Sequence, residues 1–167
     1  IGVNDSKMFA GPNAQKKRAR IAEKIRELAV RVAVRVATPA EIDAKNLGEL
    51  EREKAASIIA EINPDGTILA DGALIFSSLA RQYPTLTAEN GADRRHVVVA
   101  AASIIAKTER DRLFGEIRAR YEPDFGEIAG GGYPNPATMT FLDAYRARHG
   151  GLPPEVRKKW RLNPGAT

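Results

Sequence analysis

No cysteine occurs among the 167 residues, which excludes disulfide bonds and thiolate-bound metals. Histidine is nearly as scarce. His96 and His149 are the only two, too few for a histidine-rich zinc centre. Any metal here would be held mostly by carboxylates, and oxygen donors of that kind favour Mg2+ or Mn2+. No apolar run approaches 18 residues, so no membrane-spanning helix is expected. The chain opens without a secretory pattern. It carries no phosphate-binding P-loop, no nucleophile elbow and no dinucleotide fingerprint.

The residues that are present suit a soluble domain with a sizeable core. Lys and Arg number 26 against 21 Asp and Glu, and the surplus is uneven. Residues 1–35 carry nine cations against three acids, and the stretch from Arg146 to Arg161 has six against Glu155 alone. Two basic segments around a more acidic middle suit a polyanionic partner. A solvated surface that favours solubility accounts for them equally well. Ile1 is not an initiator methionine, and I1-G-V-N-D-S-K7 reads as the end of a strand followed by a turn. The expectation is the later part of a longer polypeptide.

Hydrophobic periodicity gives the elements. Ile21, Ile25 and Leu28 share one face of a helix over 13–28. V30-R-V-A-V-R-V36 alternates, which predicts a strand burying Val30, Val32, Val34 and Val36. After the punctuated connection T38-P-A-E-I-D-A-K-N46, a helix is expected over roughly 47–61, with Leu47, Leu50, Ile58 and Ile59 inward. N63-P-D-G66 is a turn, and T67-I-L-A70 is a short apolar strand that delivers Asp71-Gly72. Helix over 73–82, a short strand at 85–87, a long helix around 98–120, an irregular loop over 122–136 and a last helix over 137–148 complete the pattern. Helices alternating with strands indicate one α/β domain over 1–167, with 150–167 as a basic C-terminal segment.

Asp71 stands at the end of an apolar strand, where sites collect in α/β folds, and Gly72 lets the chain turn behind it. A turn Asp capping the next helix fits the same residues. Asp93, in a glycine-containing loop ahead of the long helix, carries the same two readings. Glu109 and Asp111 lie inside that helix beside Lys107, Arg110 and Arg112 and read as a surface ion-pair network. Carboxylates converging without histidine or cysteine would suit divalent-metal phosphoryl chemistry. In G130-G-G-Y133 the glycines permit close backbone approach to a ligand, and Tyr133 offers a ring that could stack on a sugar or base. An ordinary loop anchor is the alternative.

Six stretches occur in the order seen in one family. They are DSK (Asp5 to Lys7), EIDAKN (Glu41 to Asn46), LADG (Leu69 to Gly72), AASIIAKTERD (Ala101 to Asp111), GYPNP (Gly132 to Pro136) and PPEVRKKW (Pro153 to Trp160). On these the chain resembles ribonuclease HII, archaeal-like, across essentially its whole length. The resemblance implies a ribonuclease H-like mixed sheet flanked by helices. It implies a cytoplasmic enzyme, monomeric when complete, that cuts the RNA strand of RNA–DNA hybrids and incises DNA 5′ to embedded ribonucleotides. Family members place four acids around Mn2+ or Mg2+: an Asp-Glu pair on the first strand and two later aspartates. Asp71 matches the third acid and Asp93 the fourth, so both would be catalytic metal ligands. Lys7 resembles a lysine near the active site and would contact a phosphate. Tyr133 resembles the tyrosine that packs against the sugar at the RNA–DNA junction. Hydrolysis would occur directly at phosphorus, leaving a 3′-hydroxyl and a 5′-phosphate, with neither histidine as base. Ser103 would pack rather than attack.

Departures accompany the matches. The 167 residues hold no counterpart of the first-strand Asp-Glu pair or of the family's glycine-arginine-glycine segment, Met8 stands where a second lysine is usual, and F9-A-G-P-N-A-Q15 is slightly expanded. The expectation is an N-terminally truncated domain, weakly active or inactive alone. A noncatalytic nucleic-acid-binding module and a degenerate fragment are the competing readings.

Overall fold

The computed structural model describes residues 13–158. Helices and strands alternate there in the expected α/β manner: α1 (Ala14–Leu28), α2 (Pro39–Ala44), α3 (Leu47–Ile62), β1 (Ile68–Asp71), α4 (Ala73–Phe76), β2 (Leu86–Glu89), α5 (Val97–Phe125) and α6 (Pro136–His149). Helices thus flank a small sheet. Its two described strands run parallel, with Ile68 opposite Leu86 and Asp71 opposite Glu89. Parallel neighbours cannot be joined by a tight hairpin. The crossover is made by α4 and a 3-10 turn at Ser77–Arg81. The chain divides into two compact units, residues 1–37 with 47–109, and residues 38–46 with 110–167.

In the first unit, α1 meets the start of α5 through buried Ala22, Ile25, Ala100, Ile104 and Ile105. The alanines let the helices approach closely. Burying each isoleucine stabilises by about 1.5–3 kcal/mol, so three of them form the main anchor of this contact. Leu28, expected on the same face, is 69% exposed because α1 ends there. In α3, Leu50 is buried as expected, whereas Leu47 opens the helix and is exposed.

The Val-Arg segment departs most from its pattern. Residues 31–38 form neither helix nor strand. Val32 and Val34 do pack against the isoleucine core, but Val30 is fully exposed and Val36 is 44% exposed. Alternation decides which side chains face inward; a ladder also needs a neighbouring backbone. Among the described residues the only paired strands are β1 and β2. Side chains hold the segment instead. Arg31 donates to the carbonyls of Glu61 and Ile62 at 3.4 and 3.2 Å, and Arg35 pairs with Glu61 and reaches Ser57 at 3.1 Å.

In the second unit, the connection after Thr38 contains helix α2, opened by a capping box. Thr38 Oγ1 accepts from the Glu41 amide at 3.2 Å, and Glu41 accepts from the Thr38 amide at 2.8 Å. The later part of α5 extends to Phe125 and includes Pro123 in its final turn. Glu122 secures the exit by accepting from the Ile128 amide at 3.1 Å and from Arg118 at 2.6 Å. Tyr121 and Phe125 pack against Phe141 and Tyr145 of α6, with ring centroids 5.5–5.6 Å apart in each pair across the helices. Asn135 caps α6, and Gly150 ends it in the left-handed conformation.

Candidate active site

The parallel register brings the C-terminal ends of β1 and β2 side by side, so Asp71 and Glu89 are cross-strand partners. Both chains then turn. Gly72 takes φ +117, which a residue with a Cβ rarely adopts. Gly91 caps a 3-10 turn, Ala92–Arg94, that carries Asp93.

Three hydrogen bonds lock the two turns together. The Gly72 amide donates to the Glu89 carbonyl at 2.8 Å. Asp71 Oδ1 accepts from the Ala92 amide at 3.1 Å, and Asn90 Oδ1 accepts from the Ala73 amide at 2.9 Å. Each turn thus gives a side-chain acceptor to the other's backbone. The amide next to Asp93 is the one that Asp71 holds, so the two aspartates are fixed on interlocked turns. Asp71 does not cap the helix that follows it, whose N-cap is Gly72 with no side-chain bond; its Oδ1 braces the neighbouring turn instead.

Glu89 belongs to the same cluster. Arg95 donates to it through Nε at 3.0 Å and through a second nitrogen, and His96 Nε2 lies 3.5 Å away. The hydrogen bonds from Arg95 are the main reason its carboxyl is held below the usual range. Arg95 also donates to the Asn90 carbonyl at 3.0 Å, closing the turn that bears Asp93. Glu89, Asn90 and Arg95 were not singled out by sequence reasoning. The signal was slight: L69-A-D-G72 and A88-E-N-G91 each place an acid one or two positions before a turn glycine.

In the second unit, Tyr133 is exposed and follows the glycine turn Gly130–Gly132. Asn135 Nδ2 donates to the Gly130 carbonyl at 2.9 Å, and its Oδ1 accepts from the Thr138 amide at 3.1 Å. At Gly130, φ is +89, and a Cβ would lie 2.5 Å from both Asn135 Oδ1 and Thr138 Oγ1. Only glycine fits there. The Arg110 guanidinium lies over the Tyr133 ring, 4.7 Å from its centroid, and reaches Asp111 Oδ1 at 3.3 Å. The ion pairing expected around Arg110 is therefore present, although the Asp111 side chain is largely covered rather than on the surface, and a ring contact is added. Arg110 and Tyr133 border a cavity of about 280 Å³ walled by Leu113, Phe114, Ile117 and Phe141. Lys7 and Trp160 lie outside the described residues.

The family model for ribonuclease HII matches residues 1–163. The chain belongs to the ribonuclease HII family. It is 35% identical to the ribonuclease HII of Thermococcus sibiricus, over 96% of this chain and 73% of that protein. To that of Haloarcula marismortui it is 38% identical, over 95% of this chain and 77% of the relative. Among solved structures, it resembles a chain of the PCNA:RNase HII complex from Archaeoglobus fulgidus with a TM-score of 0.78 and 32% identity, covering 98% of this chain and 81% of that one. The ribonuclease H2 from Pyrococcus horikoshii aligns with a TM-score of 0.77 and 29% identity, over 96% of this chain and 78% of the other. The family resemblance and the ribonuclease H-like fold read from the sequence both hold, and the chain is an enzyme of the type 2 ribonuclease H family.

Ribonuclease HII membership raises the question of metal. The carboxylates of Asp71 and Asp93 are hard oxygen donors of the kind that Mg2+ and Mn2+ take. Among the described residues, however, no group of three or more histidine, aspartate and glutamate side chains could hold an ion. Arg95 engages Glu89, the nearest additional acid in sequence, as an ion pair. The donor chemistry fits and the donor number falls short.

Proposed function

We propose that these residues serve a divalent-metal-dependent endonuclease that hydrolyses the RNA strand of RNA–DNA hybrids and incises DNA 5′ to embedded ribonucleotides. Asp71 and Asp93 are its catalytic carboxylates and two of its metal ligands, Tyr133 meets the sugar at the junction, and Lys7 contacts a phosphate. Residues 1–167 act as one catalytic domain in the cytoplasm, with the basic segment 150–167 adding attraction for the polyanion. The observation that carries this reading is the interlock of the Asp71 and Asp93 turns at the ends of parallel strands. Sites in α/β sheets gather at that end.

When bound, Mg2+ or Mn2+ supplies activation of water and stabilisation of the leaving oxygen. The protein's own part is to hold two carboxylates in fixed relation before substrate arrives, so that no reorganisation is needed during reaction. Tyr133, presented on a braced turn, orients the sugar. Neither His96, engaged near Glu89, nor His149, stacked 4.4 Å from Tyr145, is assigned a proton-transfer role.

A second reading is favoured by one observation, the shortage of donors for a metal among the described residues. In that reading the 167-residue chain binds hybrid without cutting it. A labelled duplex containing one ribonucleotide separates the two. It is incubated with Mg2+ or Mn2+, beside EDTA and Asp71→Asn controls, with the chain alone and with the chain extended by a strand bearing an Asp-Glu pair. The expected result is little or no cleavage by the chain alone and metal-dependent cleavage by the extended form, abolished by Asp71→Asn. Binding without cleavage in both forms would establish the second reading instead.

A further inference from the structure

The geometry around Tyr133 points to Arg110 as a positioning residue. We infer that its guanidinium seals one face of the Tyr133 ring and holds the other face ready for the sugar of a ribonucleotide-containing strand. The inference rests on the proposed contact between Tyr133 and substrate, and it assigns to Arg110 a part in selectivity.

Three observations carry it. First, the backbone of Tyr133 is already fixed: its amide donates to the Gly130 carbonyl at 3.2 Å, its carbonyl accepts from the Asn135 amide at 2.8 Å, and Asn135 is locked by two further bonds. What remains free is the ring torsion, since the residue is 53% exposed. Second, the guanidinium lies over that ring at 4.7 Å. Arg110 comes from α5, a regular helix, so its origin is fixed independently of the loop. Third, Asp111 Oδ1 approaches Arg110 at 3.3 Å and restrains it from the side. A planar cation restrained in this way both attracts the ring face and blocks its rotation.

An exposed arginine could instead attract phosphate as a point charge. Lysine distinguishes the two roles, because it keeps the charge and cannot lie flat on a ring. The test is a double-mutant cycle of Arg110→Lys and Tyr133→Ala in the full chain. Binding is measured to a duplex with one ribonucleotide and to its all-DNA counterpart, and thermal melting verifies each fold. Arg110→Lys is expected to weaken binding of the ribonucleotide duplex by about two- to fivefold. It should leave all-DNA binding and melting nearly unchanged. On the Tyr133→Ala background the same substitution should change binding by less than about 1.5-fold, because the ring it positions is gone.

Full rescue by lysine would overturn the inference, as would an equal loss in both backgrounds, while Tyr133 kept its proposed role. If Tyr133→Ala itself leaves ribonucleotide binding unchanged, or the unmodified chain does not bind, the proposed contact falls and this inference falls with it. A parallel loss on both duplexes with a lowered melting temperature would reduce Arg110 to a structural residue and also overturn it.

Discussion

Asp71 ends a strand and braces a turn other than its own. Its Oδ1 braces the Ala92 amide, so Asp71→Asn, which keeps an oxygen at that position, should preserve the interlock while removing the charge. Glu89 is the corresponding residue on β2. Its folded pKa is depressed chiefly by the Arg95 hydrogen bonds. Arg95→Gln should therefore let Glu89 titrate upward toward 4.5, its ordinary value. Carboxyl-carbon NMR across about pH 2–7, which spans the carboxylate range, measures this, and an unmoved titration would mean that Arg95 does not hold the acid. The sequence made Asp71 and Asp93 legible because each precedes or follows a glycine turn. Glu89 was not legible, since its meaning comes from lying opposite Asp71, and register is a property of two strands. Arg110 was readable as charge but not as a ring contact, because 23 positions separate it from Tyr133.

Helices were the most legible elements. The start of α1 at 14 and the span of α3 at 47–62 follow apolar spacing closely. α2 was missed although its capping box is written in Thr38 and Glu41, since six residues are too few to display a period. α5 outruns the expected end near 120 because proline in the last turn forfeits one amide donor without ending the helix. The Val-Arg segment was read as a strand, and alternation correctly put Val32 and Val34 inward. That it pairs with no strand among the described residues lay beyond any reading of the segment by itself. The glycine turn before α6 gives a direct check on element geometry. Gly130→Ala combines a left-handed backbone with the 2.5 Å approaches at Asn135 and Thr138. It should destabilise the protein by about 2 kcal/mol or more, read from the urea midpoint. A neutral result would mean that the turn rearranges freely.

For the molecule taken whole, acid is expected to lower stability. Glu89 and Glu122 are both held below 4.5, the latter first by the Ile128 amide and then by Arg118. Carboxylates with depressed folded pKa values contribute stability that is present above about 4.5 and lost as pH falls through the folded value. Stability should therefore decline below about pH 4.5, and Glu122→Gln, which keeps an acceptor for Ile128, should flatten that decline. Denaturant midpoints from about pH 3 to 7 test it, and an unchanged slope would remove Glu122 from the account. Tyr121 is shifted the other way, upward, by burial and then by its 2.9 Å bond to Glu155, and it stays protonated throughout this range. The stretch after α1, outside the paired strands among the described residues, has a different kind of consequence. Proteases take substrates as extended chain, and among the described residues the stretch 31–38 has no helical or ladder hydrogen bond to surrender. Arg31 and Arg35 are thus the expected first trypsin sites among the described residues, mapped by mass spectrometry; a first cut inside α5 would contradict this. Such a nick would sever α1 from α3 along the chain but leave Ile25 seated against Ile104 and Ile105. The cleaved protein should accordingly persist as two fragments held in one non-covalent complex.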